Sequence, residues 1–214
     1  MKTPLLVAAL LLAPLAPAFG GEHEDPGLQA LMRGMAETAG VSADFREVKE
    51  LALLAEPLVS RGTLYFIPPD RLARHTRSPS PSSLIVDGDR LTVADPAGGD
   101  RVELSQNPVA RLFVDNLIVL FSGDLAALRR RYVPHFESGE DHWSLALEPR
   151  RSPVKDLIAR ITLRGDGTSL REMEVLETDG DRTRTFLSAV QVDRHFSPEE
   201  IRRFFSPLPD ALPR

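Results

Sequence analysis

The chain has 214 residues, 31 of them acidic and 26 basic, for a formal net charge of −5, and it contains no cysteine. That balance argues against nucleic acid as a main partner. Without cysteine there is neither a disulfide framework nor a thiol to carry a lipid, so the fold must be held by its own core.

Residues 1–20 read as an export signal. Met1-Lys2 is a short basic start, Leu5 to Ala16 is apolar, and APAFGG supplies small residues for cleavage. The apolar run is too short to span a bilayer, and no later stretch is longer. The mature chain, from residue 21, is expected to be exported, soluble and a single domain.

Asp25-Pro26 reads as a helix cap and first-turn proline. Leu28, Leu31, Met32 and Met35 follow at helical spacing, which predicts a helix over 26–38 with Gly40 as its stop. The next segment, ADFREVKELALLAEPLV, fits helix or strand over 42–55; its context, a series of strand-like runs, favours a strand. In SRGTLYFIPPDRLARH, Leu64 and Phe66 alternate with Thr63 and Tyr65 until Pro68-Pro69 interrupts the ribbon.

Three Asp-Gly pairs, at 87–88, 166–167 and 179–180, sit between β-branched or apolar runs, where short hairpin turns need positive φ. They predict a hairpin in SSLIVDGDRLTVAD and a three-stranded meander from Asp156 to Val192. HWSLALEP adds a strand with Trp143, Leu145 and Leu147 on one face. Between these lies NPVARLFVDNLIVLFSG, a helix opened by Asn107 and Pro108 and apolar almost all round, so it is expected to be covered on more than one side. A short helix should follow from Asp124 to Tyr132. Ser197-Pro198-Glu199-Glu200 is a capping box for a last helix, and residues 206–214 look like a flexible tail.

Catalytic signatures are missing. There is no nucleophile elbow, phosphate loop or paired-histidine metal motif. His135 and His142, with Glu137 and Asp141, match no standard metal spacing and are better read as a polar hairpin loop. Asp87-Gly88-Asp89 and Asp179-Gly180-Asp181 lack the further ligands of a calcium loop and read as turns. Glu172 and Glu174 share one strand face, with no aromatic sugar cleft around them. Arg129, Arg130 and Arg131 suit an anionic surface, and equally the C-terminus of a helix. No metal, cofactor or catalytic residue is expected, and the chain is read as a binding protein rather than an enzyme.

The order of these elements resembles the LolA-type outer-membrane lipoprotein carrier family. The phrases that carry the likeness are ADFREVKE, SRGTLYFIPPDRLARH, SSLIVDGDRLTVAD, HWSLALEP and ITLRGDGTSLREMEVLETDGDRTRTFLSAV, together spanning about Leu28 to Phe205. The resemblance implies a mainly β (α+β) fold: a strongly curved antiparallel sheet forming an incomplete β-barrel, with helices covering the concave face as a lid. It implies one carrier domain over 21–205, working as a monomer in the periplasm. That domain would shield acyl chains of lipoproteins or glycolipids between an inner-membrane release complex and an outer-membrane acceptor. A lipid-sensing or regulatory binding module with the same sheet is the alternative.

Alternation along the strands then nominates a cavity lining of Leu64, Phe66, Leu91, Val93, Leu112, Phe113, Leu117, Phe121, Trp143, Leu145, Leu147, Met173 and Val175. Two departures stand out. Phe45-Arg46-Glu47 replaces the family's Phe-x-Gln. Pro68 stands where the well-studied carriers have a basic residue that latches the lid, a role left to Arg71 or Arg74.

Overall fold

The structure is a computed structural model and describes residues 25–208; the expected export signal and residues 209–214 of the expected tail lie outside them. It begins with α1 (Pro26–Ala36). Asp25 Oδ1 accepts from the backbone N–H groups of Gly27 and Leu28, at 2.8 and 3.2 Å, satisfying donors that the first turn leaves orphaned. The helix buries one stripe: Leu28, Leu31, Met32 and Met35.

Six strands follow: β1 (Val41–Glu50), β2 (Leu58–Ile67), β3 (Arg71–Ser78), β4 (Ser82–Asp87), β5 (Arg90–Asp95) and β6 (Gly98–Glu103). A 3₁₀ turn (Leu104–Gln106), α2 (Pro108–Ile118) and α3 (Leu125–Arg131) lead to β7 (Tyr132–Ser138) and β8 (Trp143–Pro149). The short α4 (Val154–Leu157) precedes β9 (Ile158–Asp166), β10 (Ser169–Glu177) and β11 (Arg182–Gln191), and α5 (Pro198–Phe204) ends the fold. Each expected Asp-Gly pair makes its turn, with φ of 58° at Gly88, 50° at Gly167 and 95° at Gly180.

All eleven strands form one antiparallel sheet in the order β6-β5-β4-β3-β2-β1-β11-β10-β9-β8-β7. The two halves are meanders, β2–β6 and β7–β11, joined where β1 pairs with β11. The outer strands β6 and β7 do not pair, so the sheet is open and not a closed barrel. Residues 104–131 therefore have to travel from one free edge to the other, and they do so across one face of the sheet.

Curvature has identifiable sources. Register shifts interrupt β1–β11 between Ser42 and Asp44, β2–β3 between Arg61 and Gly62, and β9–β10 at two places. An extra residue on one strand bends it and increases its twist. Gly62 is required there: a Cβ would lie 1.8 Å from the His75 carbonyl oxygen and 2.8 Å from the Phe45 ring.

Two expectations need correction. The strand expected over 42–55 stops at Glu50, which faces Arg182 at the start of β11. Past that residue the partner strand runs out, and 51–57 become a loop. Strands β6 (GGDRVE) and β7 (YVPHFES) were not anticipated, because neither shows an apolar alternation.

Candidate functional site

The strand register sorts every side chain onto one of two faces. Phe45 pairs with Gly62 and Leu187, Leu64 with Ala43 and Arg74, Phe66 with Val41 and Leu72, and Leu72 with Val86. Val86 pairs with Leu91 and Leu84 with Val93. On the other half, Met173 pairs with Leu163 and Val175 with Ile161, while Leu145 and Leu147 pair with the same two residues from β8. Because directly paired residues point the same way, these rows share one face of the sheet, on which the paired positions Thr185, Glu47 and Ser60 are polar. All nine strand residues nominated from alternation fall on it.

Helical residues fill this face. Leu28, Leu31, Met32 and Met35 of α1, Val114 of α2, Val119-Leu120-Phe121 and Leu128 of α3 share one core with Phe45, Leu64, Phe66, Trp143, Leu145, Leu147 and Leu163. The rings of Phe66 and Phe121 lie 5.8 Å apart. Gly123, at φ 71°, brings the crossover against the end of α1, where a Cβ would lie 2.4 Å from both Met32 O and Ala36 N. Under the C-terminal end of α1 a cavity of about 30 Å³ remains, lined by Met35, Val41, Leu64, Phe66, Phe121, Leu170 and Leu187 among others. The helices pack onto the bowl, and an open cleft of about 570 Å³ remains between the first half of α1 (Gly27, Ala30, Leu31) and Phe136, Trp143 and Thr168.

The nominated residues do not share one environment. Leu64, Phe66, Phe121, Trp143, Leu145 and Leu147 are buried. Leu91, Leu117, Met173 and Val175 are partly buried against the core, and Leu112 is half-buried. Val93 and Phe113 are exposed, at 41% and 40%. The expectation that the central helix is covered on more than one side is therefore corrected: Val114 is its one buried residue, and Val109 is 65% exposed. A crossover bridging two free edges meets the sheet along a single stripe, so its other apolar side chains face outward.

The same face carries a polar belt set among its apolar positions: Arg74 pairs with Leu64 and Leu84, and Thr185 with Met173 and Glu47. The Arg74 guanidinium lies 4.2 Å over the Phe45 ring and its Nη1 donates to Thr76 Oγ1 at 3.1 Å. Its Nη2 is 2.9 Å from Glu47 Oε1 yet makes no directed hydrogen bond, so this contact is an ion pair by proximity. Ser60 and Thr185 donate to the Glu47 carboxylate at 3.2 and 3.3 Å. Arg71 points to the opposite face and pairs with Asp87 at 2.6 Å. Both arginines considered as latches thus find their partners on the sheet. What ties the crossover down is Arg111, 2.7 Å from Asp89 in the β4–β5 turn, and Asp115, which pairs with Arg111 and Arg131 at 3.1 Å. Asp89 is held below the usual carboxylate range, chiefly by hydrogen bonding from Ser105 and also by Arg111.

The convex face has a second small core that sequence reasoning missed. Phe204 of α5 stacks on Tyr65 at 4.3 Å, and Arg194 lies over both Phe196 and Phe204. Beneath them His75 is almost fully buried. Its Nε2–H donates to the Phe204 carbonyl at 2.6 Å, the one arrangement a carbonyl acceptor allows. Nδ1 then accepts from Ser83 Oγ at 3.0 Å, and Ser83 Oγ accepts from Leu208 N–H at 2.9 Å. Burial pushes the imidazole pKa below 6.5, opposed by the Phe204 bond and aided by Arg77. On the concave side, burial pushes the Tyr132 phenol up to about 12. The acidic trio Glu177, Asp179 and Asp181 lies close together, but Asp181 Oδ1 accepts from Ala52 N–H and Asp179 Oδ1 from Asp181 N–H, as turn residues do.

The fold is thus an open antiparallel sheet whose concave face is packed by its own helices. The chain belongs to the family described as outer membrane lipoprotein carrier protein LolA, whose model matches residues 36–202. No curated protein sequence matches it. Among solved structures it is similar to the complex of MucA and MucB from Pseudomonas aeruginosa, at 13% identity and a TM-score of 0.46. That match covers 81% of this chain but 58% of the other, so the chain spans under two thirds of that protein's length. A LolA-superfamily protein from Nitrosomonas europaea matches at 13% identity and a TM-score of 0.42, covering 81% of this chain and 94% of that one. A putative outer membrane lipoprotein-sorting protein domain from Vibrio parahaemolyticus matches at 11% and 0.45, over 83% and 95%. Likenesses this distant carry no argument about ligand or partner. Among the described residues no helix is long and apolar enough to cross a membrane.

Proposed function

We propose that the chain is a periplasmic carrier that shields acyl chains, of lipoproteins or related lipids, on the concave face of its sheet. One observation carries this reading: apolar side chains of both meanders meet in one core on the concave face, and α2, the helix that closes it, adds one fully buried side chain, Val114, with Ala110, Leu117 and Ile118 only partly buried. Val109 and Phe113 of the same helix stay exposed. Exchange of the crossover for a lipid tail accounts for both features. Burying an acyl chain is worth ~0.8 kcal/mol per CH₂, so a long tail supplies on the order of 10 kcal/mol, enough to displace a loosely seated helix. Release then requires that the helix-filled state be close in energy to the loaded one, so that an acceptor tips the balance without an energy source.

In this reading the polar belt of Glu47, Arg74, Thr76 and Thr185 borders the tail site, where the polar part of an amphiphile would emerge. Cargo would come from an inner-membrane release complex and leave to an outer-membrane acceptor, with the carrier acting as a monomer and without catalysis. The test is native mass spectrometry of the exported protein, combined with displacement of a fluorescent fatty acid. Bound amphiphile that passes to acceptor vesicles supports a carrier. Bound amphiphile that is never passed on favours a sensor, and no binding at all overturns both.

A further inference from the structure

The loop between β1 and β2 exposes apolar surface that nothing in the fold uses. Leu53 is 97% exposed, Leu58 54% and Leu54 46%. Two neighbouring loops are fastened to the same rim. Ala52 N–H donates to Asp181 in the β10–β11 turn, and Thr178 N–H donates to the carbonyl of Leu157, itself 50% exposed. Leu53 and Leu54 in the loop, Leu58 at the start of β2 and Leu157 at the end of α4 therefore lie at one end of the sheet, joined through the β10–β11 turn. Leu58 pairs with Lys49, which places it on the concave register row that continues through Ser60 and Gly62 to Leu64 and Phe66.

We propose that this rim is a bilayer-docking tip: Leu53 and Leu54 insert into the interface of a phospholipid membrane and bring the polar end of the concave face against the lipid surface. Two features favour a bilayer over a protein. The exposed leucines offer roughly 400–500 Å², short of the ~800 Å² that each partner buries in a stable protein interface or dimer. They lie at one end of the sheet, with no aromatic side chain in residues 51–58 to anchor a protein partner. Charges at the rim are of both signs, Lys49 paired with Glu177 at 3.4 Å and Arg184 with Glu50, and Glu56, Asp179 and Asp181 add an acidic excess. Docking should therefore strengthen as the share of anionic lipid falls or as salt rises.

The assignment does not depend on what the concave face carries, and the experiment keeps the two apart. Leu53→Trp in the full chain supplies a reporter distinct from Trp143, which is buried. With vesicles of phosphatidylethanolamine and phosphatidylglycerol, its emission should shift to the blue and be quenched by brominated lipid. The double variant L53D/L54D should lose at least ~tenfold in vesicle partitioning while keeping its melting temperature and its displacement of a fluorescent fatty acid in solution. Phe186→Asp, on the convex face of β11, should leave partitioning unchanged. An L53W spectrum indifferent to vesicles overturns the proposal. So does a blue shift that appears without lipid and grows with protein concentration, which would assign the rim to a second copy of the chain. Equal loss of partitioning in the Phe186 variant would also overturn it.

Discussion

Replacing Val114 by alanine tests whether the crossover helix competes with cargo. The side chain is 8% exposed and is the one residue of α2 inside the core. Removing its two methyl groups costs about 1.5 kcal/mol of packing at ~0.8 kcal/mol per group. That loss falls on the closed state, in which α2 lies on the sheet, and not on a state from which α2 has withdrawn. If loading requires withdrawal, the variant should be less stable yet bind an acyl ligand more tightly. A shift of 1.4 kcal/mol is tenfold in an equilibrium constant, so the dissociation constant for a fluorescent fatty acid should fall by about tenfold. Ile85→Ala is the control: Ile85 is 3% exposed on the convex face, and its truncation should cost about 2–5 kcal/mol without tightening binding. The measurement is a pair of titrations, ligand fluorescence and urea unfolding, on each variant. Unchanged or weaker binding by V114A, with the expected loss of stability, would refute the competition between helix and lipid.

Three further outcomes are expected. Phe113→Asp changes an exposed side chain, so urea unfolding should move little, but a charge set against an acyl chain should weaken loading at least tenfold; undiminished loading would remove Phe113 from the tail path. Gly123→Ala forces a Cβ into the backbone of α1 at a positive φ and should cost at least about 2 kcal/mol, read from the urea midpoint. His75 carries a pKa below its ordinary 6.5 in the folded state. The unfolded chain therefore binds the extra proton first, and the stabilisation present above pH 6.5 is lost as pH falls through 6.5 toward the folded value. His75→Gln should flatten the pH dependence of the melting temperature below pH 6.5, and a profile identical to the parent's would show that this imidazole does not link acid to unfolding.

The turns and caps were legible in the sequence because each rests on local chemistry. Asp-Gly at 87, 166 and 179, Asn107, Asp124 and the Ser197–Glu200 box act over four residues or fewer. Alternation in HWSLALEP and TLYF also put Trp143, Leu145, Leu64 and Phe66 on the strand face that packs against the helices. Strand β3, RLARHTRS, is a harder case, because both of its faces are partly buried. Leu72 faces the helices while Ala73 and His75 lie under α5, and no period-2 contrast survives that arrangement. The convex aromatic core joins Tyr65 to Phe204 across most of the chain, so no window of sequence contains it. The exposed leucines of 51–58 looked like a strand continuing from β1. Only the end of the partner strand at Arg182 makes them a loop. Likewise, the apolar face of α2 signalled burial, and what it receives is a single stripe of contact, because the helix bridges two edges that do not meet.

The central claim is that cargo and crossover helix exchange places on one face of the sheet. With no native cysteine to interfere, spin labels at Val109→Cys on α2 and Arg46→Cys on the convex side of β1 report the distance between helix and sheet by electron–electron resonance. The account predicts a single short distance in the empty protein and a longer, broader distribution once a fatty acid has saturated the site. The same distance before and after saturation would contradict it.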